Sequence, residues 1–221
     1  MTVTAIALTR AAGLAAAASG LLFGFVQFIH PVETVAAVGT TAWAVVHHLT
    51  LLMAVLGLAG MTGVYLRQVR QAGVTGLVGY LAFSGFYLVT IAYTFVEAFV
   101  LPELAADAPR IVDEILAIPL GGDTGGLGAV AALGTVSFAL YLGGGVLLGI
   151  ALFRARVLAR WASLLLAVAP VLTLAGSFVP HSVIRLAAVP MGVALIGLGV
   201  SLWHNAGRTV AAVPTDAVLA R

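Results

Sequence analysis

Apolar runs long enough to cross a bilayer alternate along this chain with short polar breaks, and the breaks are of two kinds. One kind holds arginine and the other holds acids. A span needs about 20 apolar residues at about 1.5 Å each, and six segments meet or approach that length. The first runs from about Ala11 to His30 and stops at Pro31. Its Ala16-Ala17-Ala18-Ser19 resembles a cleavage site, but the apolar run continues ten residues further, which predicts an uncleaved span. The second covers about Thr41 to Leu66, the third Val74 to Pro102, the fourth Leu127 to Phe153, the fifth Trp161 to Val179 with a kink at Pro170, and the sixth Ala187 to Trp203. Val32 to Thr40 reads as a short connection and Pro180 to Leu186 as a tight loop. Asp107 to Ile118 alternates apolar and acidic residues as a surface-lying amphipathic helix does. The expected fold is therefore an all-α, polytopic membrane bundle of six helices. Residues 1–206 form a single domain and 207–221 a loose tail.

The arginines orient the bundle. With the N-terminus in the cytoplasm, Arg10, Arg67, Arg70, Arg154, Arg156, Arg160, Arg208 and Arg221 fall inside, leaving only Arg110 and Arg185 outside. Glu33, Glu103, Asp107, Asp113, Glu114 and Asp123 sort to the outer side, and only Asp216 to the inner. Both termini are then cytoplasmic, in a bacterial plasma membrane. The stretches 63–78 and 149–165 are both span–arginine–span units, a faint echo of duplication that the need for arginines in every inner loop also explains.

Composition narrows the chemistry. The chain is 62% hydrophobic and 8% charged, against about 25% charged in soluble domains. It has no cysteine, and all ten basic residues are arginine, so thiolate and lysine-based covalent mechanisms are excluded. A net charge of +2, spread along the chain, does not suit nucleic acid. GGDTGG at 121–126 lacks the strand and lysine of a phosphate loop. Aspartate-rich diphosphate motifs and a GxSxG are absent as well.

Against this background the ionisable residues inside the spans stand out, because such groups are costly at membrane depth. Glu97 lies about one turn inside the outer end of the third span. Thr90, Tyr93 and Thr94, with Phe86 and Tyr87 before them, lead up to it at helical spacing. His47 and His48 lie in the outer third of the second span. His30, Glu33, His181 and Arg185 fall at the same outer level and would form the rim of a pocket. Trp43, His47 and Thr50 share one helix face, with His48 roughly 100° away. A carboxyl held protonated by burial, beside an aromatic wall, is suited to protonating an olefin or epoxide and steering the resulting cation. On this reading Glu97 is the acid, His47 or His48 its partner, and Tyr93 and Tyr87 cation-stabilising rings. Phe83, Phe86, Trp43 and Thr90 contact a lipophilic substrate, and neither metal nor cofactor takes part. Alternatives remain open. On a second reading the outer histidines ligate haem or a divalent metal, although adjacent His47 and His48 cannot face one ion without distortion. On a third, Glu97 only ties helices together, or the chain is an accessory subunit.

The stretch from Val46 to Pro102, with HHLTLLMAVLGLAGMTGVYLRQ and AYTFVEAFVLP, together with RARVLARWA at 154–162, resembles a group of small actinobacterial polytopic membrane proteins. That likeness implies a membrane fold and no particular reaction. In size, span count and intramembrane acid the chain also resembles the bacterial membrane-bound cyclases of indole and other meroterpenoids. This second likeness implies a reaction class, metal-independent cyclisation begun by protonation of an isoprenoid, and no particular site residues.

Overall fold

The computed structural model describes residues 2–176 and 187–208, and every element in them is helical. α1 spans Ala5–Ile29, α2 Val35–Val38, α3 Thr41–Arg67 and α4 Val69–Phe95. A π-helical turn at Val96–Val100 carries α4 into α5, Leu101–Leu104. α6 covers Pro109–Leu116. A 3-10 turn at Gly128–Ala132 opens α7, Leu133–Ala155, and α8, Arg160–Gly176, and α9, Ala188–His204, follow. Four segments are long and apolar enough to cross a bilayer: Ala5–Ile29, Thr41–Arg67, Val69–Leu104 and Gly128–Ala155. α8 and α9 are also apolar, and the described residues give each of them 17 residues. Among the described residues, four of the six expected spans are thus helices of full length, and the other two fall on α8 and α9.

The six long elements pack as a closed ring in the order α1, α3, α4, α7, α8, α9 and back to α1. Close approach sets the α1–α9 contact. A Cβ on Gly192 would lie 2.6 Å from the Gly20 carbonyl oxygen, and one on Gly13 would lie 2.8 Å from that of Gly199. Small residues at such crossings let helices without a hydrophobic driving force gain contact. The ring's outer surface is apolar: Leu21, Phe28, Leu52, Leu81 and Leu164 are all exposed. Exposed apolar side chains on successive helices, around an apolar core, fit a lipid environment.

α4 starts five residues before the expected span, but Gly73 (φ 61, ψ −164) breaks it. Only glycine holds that conformation readily, so the straight helix begins at Val74, where the sequence placed it. α8 continues through Pro170, whose ring packs at Gly145.

The two ends of the ring differ in charge. At one end Arg10 lies over the Trp203 ring, 5.5 Å from its centroid. Arg67 Nη2 donates to the carbonyls of Asn205, at 2.8 Å, and Arg208. The Ala159 N–H donates to Ser201 Oγ at 3.0 Å, which brings the α7–α8 turn and its arginines to this same end. The opposite end carries the acids and a small second layer. There Val38 of α2, Trp43 of α3, Leu101 of α5, and Val112 and Leu116 of α6 bury one another. α6 is the expected amphipathic helix, trimmed to eight residues, with Val112 and Leu116 inward and the Arg110–Glu114 pair (3.5 Å) at its surface. α2 falls where the sequence suggested a plain connection.

Candidate functional site

The site at the acidic end begins with a backbone irregularity. In an α-helix the Glu97 carbonyl would accept from the Leu101 N–H. Here that N–H bonds to the Val96 carbonyl instead, in π-helical fashion. The next donor along is residue 102, a proline, which has no N–H. The Glu97 carbonyl is thereby released from its own helix, and the indole Nε1–H of Trp43 donates to it at 2.8 Å. Trp43 is fully buried and clamps α3 to the π turn. Single π turns inside α-helices are frequent at functional sites.

His47 sits one turn after Trp43, its ring stacked on the indole at 4.0 Å between centroids. Its Nδ1 is 2.8 Å from the Trp43 carbonyl, and since a carbonyl only accepts, Nδ1 carries a hydrogen. Nε2 then faces Glu97 Oε2 at 3.6 Å, with side-chain exposures of 2% and 9%. Nε2 has no hydrogen bond, and 3.6 Å exceeds hydrogen-bonding range. Attraction across that gap requires a proton on one partner, either on the carboxyl facing a neutral imidazole or on Nε2 facing a carboxylate. His30, at the end of α1, sets its ring edge-on to His47 at 5.4 Å, with its Nδ1 donating to the Pro31 carbonyl at 2.9 Å. Glu33 and Glu97 both lie close enough to act electrostatically on the Tyr93 hydroxyl.

Beside this pair, within the ring, is a cavity of about 370 Å³. The rings of Phe23, Phe86, Tyr93, Phe138 and Tyr141 wall it. Gln27, Thr90, Thr94, Ser137 and Thr173 supply its polar groups, and Ile118 and Pro119 close it from the α6 side. The Tyr93 hydroxyl donates to the Ile115 carbonyl at 2.6 Å, tying α4 to the end of α6. Tyr93 is the residue common to both features, since it lines the cavity and lies within electrostatic reach of Glu97.

The structure separates the sequence-derived residues into groups. His47, Glu97, Trp43 and His30 come together. His48 does not join them: it is exposed, donates to the Ala44 carbonyl and packs edge-on against Phe99 at 5.0 Å. Tyr93, Phe86 and Thr90 line the cavity. Phe83 and Tyr87 are wholly buried and pack on each other at 5.2 Å, Tyr87 also filling the space left by Gly57. Neither reaches the cavity wall. Trp43 acts on Glu97 and His47 and is absent from that wall too. His181 and Arg185 lie outside the described residues. Among the described residues no group of three or more His, Asp or Glu side chains is placed to hold a metal ion.

Among the cavity residues that the sequence did not single out are Gln27, Ser137, Phe138, Tyr141 and Thr173. Gln27 had a signal of its own, as an amide inside an apolar span. The others come from α7 and α8, where nothing but ring closure brings them to α4. No known family model matches the chain, and neither a curated protein nor a solved structure is detectably similar to it.

Proposed function

We propose that this protein is a small integral-membrane enzyme acting on a lipophilic, isoprenoid-type substrate by acid-initiated cyclisation or isomerisation. It crosses a bacterial plasma membrane six times, with the arginine end and both termini cytoplasmic. The observation that carries the reading is the aromatic-walled cavity of about 370 Å³ adjoining a buried carboxyl–imidazole pair. Pockets for small ligands begin at about 300 Å³, are largely apolar and carry a few placed polar groups.

In this mechanism the proton of Glu97 reaches a substrate carbon by way of the Tyr93 hydroxyl, forming a C–H bond and a carbocation that the rings of Tyr93, Phe86 and Tyr141 stabilise through their faces. The cation collapses by losing a proton that returns by the same route to His47 Nε2, the lone pair left available by the Nδ1–H bond. Transfer from His47 back to Glu97 restores the pair, so the cycle is redox-neutral and needs no co-reactant. Glu97 lies one turn beyond Thr94 and outside the cavity wall, so the proton has to pass Tyr93.

Glu97→Gln tests the role of the acid. The amide N–H of glutamine can still donate to His47 Nε2, so the fold is expected to survive. Membranes holding the wild type, incubated in deuterated water, are expected to accumulate a deuterium-labelled isomer among their neutral lipids, and those holding Glu97→Gln are not. Equal labelling by both proteins removes Glu97 from the reaction.

A further inference from the structure

The polar groups of the cavity divide into those already engaged and those left open. Thr90 Oγ donates to the Phe86 carbonyl at 2.9 Å and Thr173 Oγ to that of Ala169 at 3.1 Å. Tyr93 is engaged with Ile115, and Tyr141 stands 3.5 Å from Thr173. Among the described residues, Gln27, Thr94 and Ser137 make no side-chain hydrogen bond, and each lines the cavity. That is unusual for hydroxyls in membrane helices, which normally bond back to the carbonyl four residues earlier, as Thr50 and Thr62 do here. The three come from three helices: α1, α4 and α7. Among the described residues, no arginine, histidine, aspartate or glutamate lines the same space.

We infer that the cavity selects an uncharged lipophile bearing a hydroxyl or carbonyl oxygen, which Gln27, Thr94 and Ser137 bind. This rests on the reading of the cavity as the substrate site and adds the class of substrate. A pure hydrocarbon would leave all three groups unsatisfied where no bulk water competes. A diphosphate or carboxylate would enter a space to which no described residue offers a cation, at a cost of several kcal/mol. A neutral oxygen meets both conditions: it accepts from the Gln27 amide or a hydroxyl and, when it is an alcohol, donates as well.

The test measures binding of three radiolabelled probes to the full chain in nanodiscs: farnesol, the corresponding hydrocarbon farnesene, and farnesyl diphosphate. Farnesol is expected to bind about tenfold more tightly than farnesene, and the diphosphate most weakly. Gln27→Leu and Thr94→Val should each weaken farnesol roughly two- to tenfold, the worth of one hydrogen bond, and leave farnesene unchanged. The retained farnesene affinity also reports that each variant is folded. Ser137→Trp, which fills the space, should abolish binding of farnesol and farnesene alike. Equal affinity for farnesol and farnesene, unmoved by Gln27→Leu and Thr94→Val, overturns the inference and leaves the cavity a general apolar site. Tightest binding of the diphosphate overturns it too. If Ser137→Trp binds every probe as the wild type does, or if the wild type binds none, the cavity is not the substrate site, and the parent reading fails along with this one.

Discussion

The chemistry of this end of the bundle depends on one carbonyl oxygen. Pro102 cannot donate to Glu97, the π turn diverts the Leu101 N–H, and Trp43 supplies the missing hydrogen. A buried carbonyl left without a donor costs about 1–3 kcal/mol. Trp43→Phe keeps a ring beside His47 but removes the donor together with part of the buried indole, so it should lower unfolding stability in detergent by at least about that amount. Pro102→Ala returns an N–H at the position from which a π-helical bond to Glu97 can form. In the Pro102→Ala background Trp43→Phe should therefore cost clearly less. A double-mutant cycle showing additive losses would mean that the proline is not what frees the carbonyl. The sequence displayed Glu97 and the proline five residues after it, but the π turn was not legible from them. Proline near the end of a span ordinarily marks only a helix boundary, and the diversion depends on where Trp43 packs.

Among the described residues, one side-chain hydrogen bond, from Tyr93 to Ile115, ties α6 to the cavity wall, beside the apolar contacts of Val112 and Leu116. A short helix gains little stability of its own, so its docking decides whether it stays ordered. Tyr93→Phe should leave the spans intact and release the end of α6. Hydrogen exchange over residues 109–118 is expected to quicken by roughly fivefold or more, for a loss of about 1 kcal/mol. Unchanged exchange would show that the apolar contacts alone hold the helix. The amphipathic character of α6 could be read directly from its alternation of acids and aliphatics. Its attachment could not, because Tyr93 reads equally well as an interfacial or a pocket residue. The same holds for Phe83 and Tyr87, which lie four residues apart on one face of α4 and turn into the core. Spacing along one helix names a face. It does not say whether that face meets a neighbouring helix or a hollow.

For the whole bundle, the helical character, the four longest apolar helices and the separation of charge were legible, since they follow from length and from where arginine and acids fall. The cavity was not, since it exists only once α7, α8 and α9 close the ring against α1 and α4. Ring closure also ties topology to chemistry. α1, α4 and α7 each run between the arginine end and the cavity, so the side of the membrane on which the arginines lie fixes the side on which the His47–Glu97 pair lies. The chain has no cysteine, so single cysteines can report this without altering a background. Asp123 and Arg70 are both exposed, at the acidic and arginine ends respectively, and Arg208 is held to Arg67 at the latter. On intact cells a membrane-impermeant maleimide should label Asp123→Cys alone, with Arg70→Cys and Arg208→Cys reacting only after permeabilisation. The reverse pattern would turn the bundle over and place the acid–base pair on the cytoplasmic side. Labelling of Arg208→Cys but not Arg70→Cys would mean that α8 and α9 do not both cross. The ring of six helices around the cavity would then have to be abandoned together with the six-span topology.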